Sequence, residues 1–285
     1  MIRGVVLWAV VVGLFPASIF AQQIAAAQQL YNRTDYNASL LLLNKQSDDP
    51  AVNFLIGRNY FMLDDFKKAT DYFQKAIAGE PGNSEYVDWL GRAYGKRASG
   101  SNPFLAPGLA GKARDAFERA VQLDPKNTDA LSDLFDYYLD APGFLGGGYE
   151  KAAEVARRIS ALDPAEGDFD KAKLAQKRKE YQSAERHLRH AVATSPNAIG
   201  HVIALAQLLA REGKIKESDA LFQRAQQINP NSPRVWFAKA DALIKQKRDL
   251  EEARNLLEKY VQAPITADDP PKQEAFKLLK EAGGA

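Results

Sequence analysis

Apolar and small residues recur along this chain at helical rather than strand spacing. Within residues 51–81, Ile56, Gly57 and Tyr60 fall on one face of a first helix. Phe66 opens a second helix, in which Ala69, Phe73 and Ala76 share a face at i, i+4 and i+7. The pattern returns as Leu90, Gly91 and Tyr94 with Ala113, Phe117 and Ala120. It returns again as Leu205, Ala206 and Leu209 with Ser218, Phe222 and Ala225. A small residue where two helices cross, opposite a large one, lets the axes approach closely. Each set therefore predicts a packed helix pair.

Proline punctuates these pairs. It stands at Pro50, Pro81, Pro125, Pro164, Pro196, Pro230 and Pro264, with successive gaps of 31, 44, 39, 32, 34 and 34 residues. Three of these prolines follow an apolar residue and an Asp or Asn: Leu123-Asp124-Pro125, Leu162-Asp163-Pro164 and Ile228-Asn229-Pro230. Proline ends one helix and is tolerated at the start of the next, so each mark predicts a turn between helices.

This combination of motif and period resembles the tetratricopeptide repeat (TPR), a helix-turn-helix of about 34 residues. The resemblance covers residues 22–285 and implies an all-α, right-handed α-solenoid of about seven TPR-like helix pairs. The pairs are expected near 22–45, 51–78, 84–122, 128–161, 167–194, 198–227 and 234–261. A C-terminal helix over 271–282 would cap the last pair, as repeat arrays require. The second and sixth units are the closest matches. The first is degenerate because Lys45 stands where its second helix should end on a small residue. In the fifth, Lys171 and Ala175 replace large apolar and aromatic residues around Ala172, which predicts an irregular first helix.

The first 21 residues read differently. Arg3 precedes an apolar run over 4–15, then Pro16-Ala17-Ser18 supplies helix-breaking and small residues before a junction after Ala21. These are the parts of a secretory signal peptide, with a mature chain beginning near Gln22. The run is short for a bilayer span, which needs about 20 residues. An uncleaved anchor is the alternative. The expected location is therefore exported, periplasmic or secreted.

Composition narrows the chemistry. Of 285 residues, 38 are Lys or Arg and 36 are Asp or Glu, so the net charge of +2 offers no general attraction for nucleic acid or a membrane surface, and a membrane is expected only through an uncleaved leader. There is no cysteine, which excludes disulfides, thiolate metal sites and cysteine nucleophiles. His187 and His190 lie three apart beside Arg186 and Arg189; cationic neighbours disfavour a metal and predict solvated outer-face histidines. No Gly-x-Ser-x-Gly elbow or P-loop is present; residues 106–113 keep only Gly111-Lys112 of the latter. Asn32-Arg33-Thr34 and Asn37-Ala38-Ser39 fit the glycosylation sequon, relevant only in a host with that machinery. The expectation is no catalysis, no metal and no cofactor.

Two gaps exceed 34 because residues are inserted between the helices of a pair, over 96–112 in the third unit and 140–148 in the fourth. Pro103-Phe104-Leu105 and Pro142-Gly143-Phe144-Leu145 resemble each other and are expected to project side by side. Either these Phe-Leu pairs tuck back against the elbow, or Phe104, Leu105, Phe144 and Leu145 form a partner-binding edge.

In the family this chain resembles, first helices line a concave groove. That implies groove positions Phe54, Arg58, Phe61 and Met62 in the second unit, and Asp88, Arg92 and Lys96 in the third. It adds Ser132, Asp136 and Asp140 in the fourth, then Phe169, Lys173 and Lys177 in the fifth. Ile203, Gln207 and Arg211 follow in the sixth, with Phe237, Asp241 and Ile244 in the seventh. Apolar anchors interleaved with both charge signs suit a protein partner that presents a peptide or helix. Asp129, Asp133, Asp136 and Asp140 form an acidic stripe beside the basic 171–179 stretch, where mutual pairing competes with ligand binding. The Asn/Lys/Arg carboxylate clamp of chaperone-binding members is not reproduced. A carbohydrate- or small-ligand-binding protein or enzyme using the groove as a pocket is the alternative, and a self-assembling scaffold a third.

Overall fold

The computed structural model describes residues 16–43, 47–266 and 269–283, and among them every regular element is helical. Helix α1 (Pro16–Asn32) pairs with α2 (Tyr36–Leu42), α3 (Pro50–Met62) with α4 (Phe66–Gly79), and α5 (Ser84–Ser99) with α6 (Ala106–Leu123). Then α7 (Thr128–Asp140) pairs with α8 (Tyr149–Leu162), and α9 (Pro164–Lys177) with α10 (Tyr181–Thr194). The series closes with α11 (Ile199–Arg211) on α12 (Ile215–Ile228) and α13 (Pro233–Lys245) on α14 (Leu250–Gln262). The last helix, α15 (Lys272–Gly283), packs on α14 and α13 as the expected cap. Each helix meets its sequence neighbours, and α5 touches α7 as α11 touches α13. That nearest-neighbour pattern defines a solenoid.

The helix starts are encoded locally. Side-chain oxygens of Asp49, Asn83, Asn127, Asp163 and Ser232 accept hydrogen bonds from first-turn N–H groups. Pro50, Pro164 and Pro233 open their helices, where the missing N–H costs nothing, while Pro81, Pro125, Pro196 and Pro230 stand in the turns. Close packing inside the pairs follows the small-opposite-large rule. A Cβ on Gly57 would lie 2.6 Å from the Phe73 ring, and one on Gly91 2.6 Å from Phe117.

Two expectations are corrected. The first helix of the fifth unit is regular: α9 starts at Pro164, and only Asp163 separates it from α8. Its apolar face is carried by Ala165, Ala172, Leu174 and Ala175, all buried, and Gly167 lets it approach α8 so closely that a Cβ would strike Ser160. Residues 96–112 are not a projecting loop either. Helix α5 continues to Ser99 and α6 begins at Ala106, so most of the insertion lengthens the pair and only 100–105 connects it. Pro107 is harmless in the first turn of α6, and Gly108 and Gly111 face open space. Helix α1 starts at Pro16 and runs on through Ala21 in an alanine- and glutamine-rich stretch of good helix formers. The Arg3 and 4–15 leader and Lys45 lie outside the described residues. No helix among the described residues is long and apolar enough to cross a membrane.

The array curves until its ends meet. The Tyr36 hydroxyl donates to the carbonyl of Ile265, 3.0 Å away and 229 residues on. Burial pushes the Tyr36 phenol up to about 12, so it stays a donor throughout the physiological range.

Candidate functional site

The first helices contribute one continuous surface, and its centre is occupied by the chain's own ion pairs. The Arg92 guanidinium bonds Asp88 at 3.1 Å on its own helix and Asp133 on α7. Lys173 of α9 pairs with Asp136 of α7, and Lys177 with Asp140 at 2.6 Å. Arg211 of α11 donates to Gln176 of α9. The acidic stripe of the fourth unit and the basic face of the fifth therefore neutralise each other across the unit boundary. Asp136, Asp140, Lys173 and Lys177 act first as staples of the array.

Three carboxylates in this ladder are raised by burial. Asp88 is only 1 % exposed with an unbonded Oδ1, and burial beside Asp133 pushes its carboxyl up to about 8. Burial raises Asp133 as well, opposed by Arg92. Asp170, also 1 % exposed with an unbonded Oδ2, is pushed by burial up to about 8, against the pull of Lys173 at 3.8 Å. Desolvation disfavours their charged forms more than the nearby cations favour them.

On either side of this neutralised centre the surface opens. Towards the N-terminus lies a cavity of about 480 Å³, lined by Tyr31, Arg58, Met62, Glu85, Trp89, Arg92, Asp129 and Thr266 among others. Its most unusual occupant is Arg58. The guanidinium carbon sits 4.4 Å from the Tyr31 ring centre, 5.0 Å from Trp89 and 5.6 Å from Phe54, while Nε is buried with no hydrogen-bond partner. The aromatic faces offset part of its desolvation. The cage leaves the buried Nε without an acceptor, while Arg58 still contributes to the wall of the open cavity.

Towards the C-terminus, α11 and α13 enclose a second cavity of about 560 Å³, lined by Gln207, Ala210, Arg211, Asp241, Ala242, Lys245 and Gln246 among others. Here Lys245 holds Asp241 at 2.7 Å, leaving Gln207 and Arg211 at the wall.

The remaining predicted positions divide. Phe54 and Asp88 are buried, and Phe61 is mostly buried with an edge on the small cavity that Met62 also lines. The Trp89 indole of the next unit swallows both rings, with centroids 6.2 and 5.3 Å away. Phe169 packs on His201 at 5.0 Å, and Phe237 on Tyr260 at 5.1 Å. Lys96 and Met62 face a smaller cavity of about 300 Å³ beneath residues 264–266. His187 and His190 are not free: both Nδ1 atoms bond Asp168 of α9. Burial would raise that carboxyl, but these contacts and Lys171 outweigh it and hold it low. At the connections, Phe104, Leu105 and Phe144 are exposed, so the tucked-back arrangement does not occur there. Leu145 is half-buried, its carbonyl accepting from the Tyr137 hydroxyl at 2.9 Å and Arg114 Nη1 at 3.4 Å.

Sequence reasoning missed Tyr31 and Trp89, which frame Arg58. Trp89 was detectable: it stands three residues before Arg92, on the same helical face. Tyr31, at the end of α1, comes from another unit and carries no such signal.

Residues 209–264 match the family model described as the tetratricopeptide repeat. No curated protein matches the chain by sequence. Among solved structures it is similar to a tetratricopeptide repeat protein from Parabacteroides merdae, at 15 % identity and a TM-score of 0.62, covering 93 % of this chain and 98 % of that one. It is also similar to a thermophilic TPR protein from Thermus thermophilus, at 19 % identity and a TM-score of 0.55, covering 67 % and 98 %.

Proposed function

We propose, from the premise that this chain is a tetratricopeptide-repeat solenoid, that it is a non-catalytic adaptor whose concave groove receives a peptide or helix of a partner protein. Arrays of this fold generally serve as protein-interaction scaffolds on extended concave surfaces. The observation that carries the reading here is Arg58, caged by Tyr31 and Trp89 beside an open cavity of about 480 Å³ and without an acceptor at Nε. A partner carbonyl or carboxylate in the cavity would meet the positive charge of Arg58 at its wall, and the apolar walls at Met62 and Ala242 accept side chains on either side of the neutralised centre.

The experiment places a photo-crosslinking amino acid at Met62, at Gln207 and, as a control, at exposed Lys75 on a second helix, in the cells that make the protein. The adaptor reading expects one set of partner proteins crosslinked from Met62 and Gln207 and absent from Lys75. Absence of any protein crosslink, together with a small molecule retained through purification, would sink it. That second outcome is the reading favoured by cavity size, since volumes of 480 and 560 Å³ lie within the range of small-ligand sites, about 300–1,000 Å³.

Export belongs to the same proposal. Its support is the basic and apolar leader ending at Ala21. N-terminal sequencing of the native chain should begin near Gln22; a chain beginning at Met1 would instead favour an anchor.

A further inference from the structure

The two ends of the array are bridged rather than packed together. Helices α1 and α2 pack on one another and on α3, while α15 packs on α14 and α13. Among the described residues, the apolar cluster around Ala27, Leu40 and Ile56 stays within the first two units. The cluster around Leu243, Leu257 and Tyr260 stays within the last pair, α15 and Ile265, so no apolar core crosses the seam. Between the ends lies the cavity of about 300 Å³, with Tyr36 and Met62 on one side and Pro264 and Ile265 on the other. The chain that reaches across is the segment 263–266, which follows α14.

That segment is built from the C-terminal side alone. Thr266 donates twice to Asp269 Oδ2, from its N–H at 2.8 Å and from its hydroxyl at 2.9 Å. The Tyr260 hydroxyl donates to the Pro270 carbonyl, and Pro264 and Pro270 limit the backbone further because the ring fixes φ. The Ile265 side chain packs back against the cluster of the last pair. Towards the first units the segment offers the Ile265 carbonyl, which accepts from the Tyr36 hydroxyl at 3.0 Å. The result is a preformed hook, anchored at one end of the molecule and caught at the other by a hydroxyl. Exchanging an ordinary hydrogen bond for water costs little net free energy, and on release Ile265 stays in its own cluster. The hook is made to come off its catch without unfolding.

Its position decides what it would control. Thr34, Tyr36, Met62 and Thr266 line both the 300 Å³ cavity and the 480 Å³ cavity beside Arg58. The contact of Tyr36 with the hook therefore stands as a partition between two compartments of one channel along the first units. We propose that residues 263–266 are a clasp across the N-terminal part of the groove, which an entering partner peptide displaces from Tyr36 to occupy both compartments. An extended peptide carries the same acceptor as the clasp, a backbone carbonyl. It takes over the Tyr36 donor as the clasp leaves, so no part-buried hydroxyl is left unpaired. The identity of what enters rests on the adaptor reading; the clasp itself does not.

The chain has no cysteine, so one introduced thiol reports alone. The test measures how fast small N-ethylmaleimide and bulky fluorescein maleimide label the full-length Met62→Cys chain, with Gln207→Cys as the control. Each is compared with and without Tyr36→Phe or Asp269→Ala. Tyr36→Phe keeps the ring on Tyr31 and removes only the catch, whereas Asp269→Ala unpins Thr266 and spares the catch. Bulky labelling at Met62→Cys should be about fivefold faster with Tyr36→Phe, the population change that loss of one hydrogen bond allows, and faster also with Asp269→Ala. Small-probe rates, and all rates at Gln207→Cys, should stay the same. Equal bulky rates with and without the catch overturn the proposal, as does equal acceleration at Gln207→Cys, which means general loosening. In cells, Asp269→Ala should raise partner crosslinking from Met62 and not from Gln207, and an unchanged Met62 yield overturns displacement by the partner. Thiol rates as expected with no protein crosslinked at either position would sink the adaptor reading and leave the clasp standing.

Discussion

Gly57 and Gly95 sit in neighbouring units, both inside first helices, yet the space around them differs. A Cβ at Gly57 would lie 2.6 Å from the Phe73 ring, whereas one at Gly95 meets nothing within 4 Å. Gly57→Ala should therefore destabilise by about 1–3 kcal/mol through overpacking. Gly95→Ala should stabilise by about 0.5–1 kcal/mol through helix propensity and a stiffer unfolded chain. Urea denaturation of the two variants measures both signs. Asp170 provides a pH prediction. Its folded-state pKa is raised to about 8, above the unfolded carboxylate value, so the folded state holds the proton more tightly. The associated stability is complete below about pH 4 and is lost as pH rises through about 8. Asp170→Asn should flatten this decline, leaving the variant more stable relative to wild type at pH 8 than at pH 5 by about 1 kcal/mol or more. Denaturation at the two pH values is the check; a parallel decline in both proteins would count against the assignment. At this scale the sequence was least legible. Asp88 and Asp170 look like ordinary surface carboxylates on helical faces, because their burial depends on the curvature of units not yet assembled.

Among elements, legibility was high and its failures have identifiable causes. Prolines at the turns and small residues opposite Phe73, Phe117 and Phe222 locate each pair from local information alone. The fifth unit's first helix was misjudged because Lys171 and Ala175 break the family pattern. The helix instead draws on Asp163 as a cap and on Gly167 and Ala172 for close packing, a substitution of small contacts for large ones. Residues 96–112 read as a loop because of Pro107, Gly108 and Gly111, yet proline is tolerated in a first turn and both glycines face open space. Among the groove residues read from the sequence, Phe54 and Phe61 pack beneath Trp89, a contact between units that spacing within one unit cannot supply. The capping helix carries its own prediction. α15 covers the last pair, where Leu257 and Tyr260 are fully buried. Truncation before Lys272 should expose that face and lower the melting temperature by several degrees. Amide exchange should then accelerate first in α13 and α14, since neighbouring repeats support one another pairwise. Uniform acceleration across all units would contradict a nearest-neighbour array.

For the molecule as a whole, the contact between Tyr36 and Ile265 is the feature no local reading reaches. It joins residues 229 positions apart, and the Tyr36 ring also packs on Tyr31 at 5.4 Å. Tyr36→Ala removes both contacts and should let the ends part, raising the radius of gyration seen by small-angle X-ray scattering while the helix content stays constant. An unchanged radius would mean that curvature within the units alone sets the shape. This meeting of the ends also bears on how such a chain changes over time. An array with free ends can gain or lose a repeat without disturbing how the others meet. Here an eighth unit, or a missing one, would carry Ile265 past or short of its place beside the first pair. Duplication or deletion of a repeat, the ordinary route of change in solenoids, would therefore cost this architecture the contact between its ends.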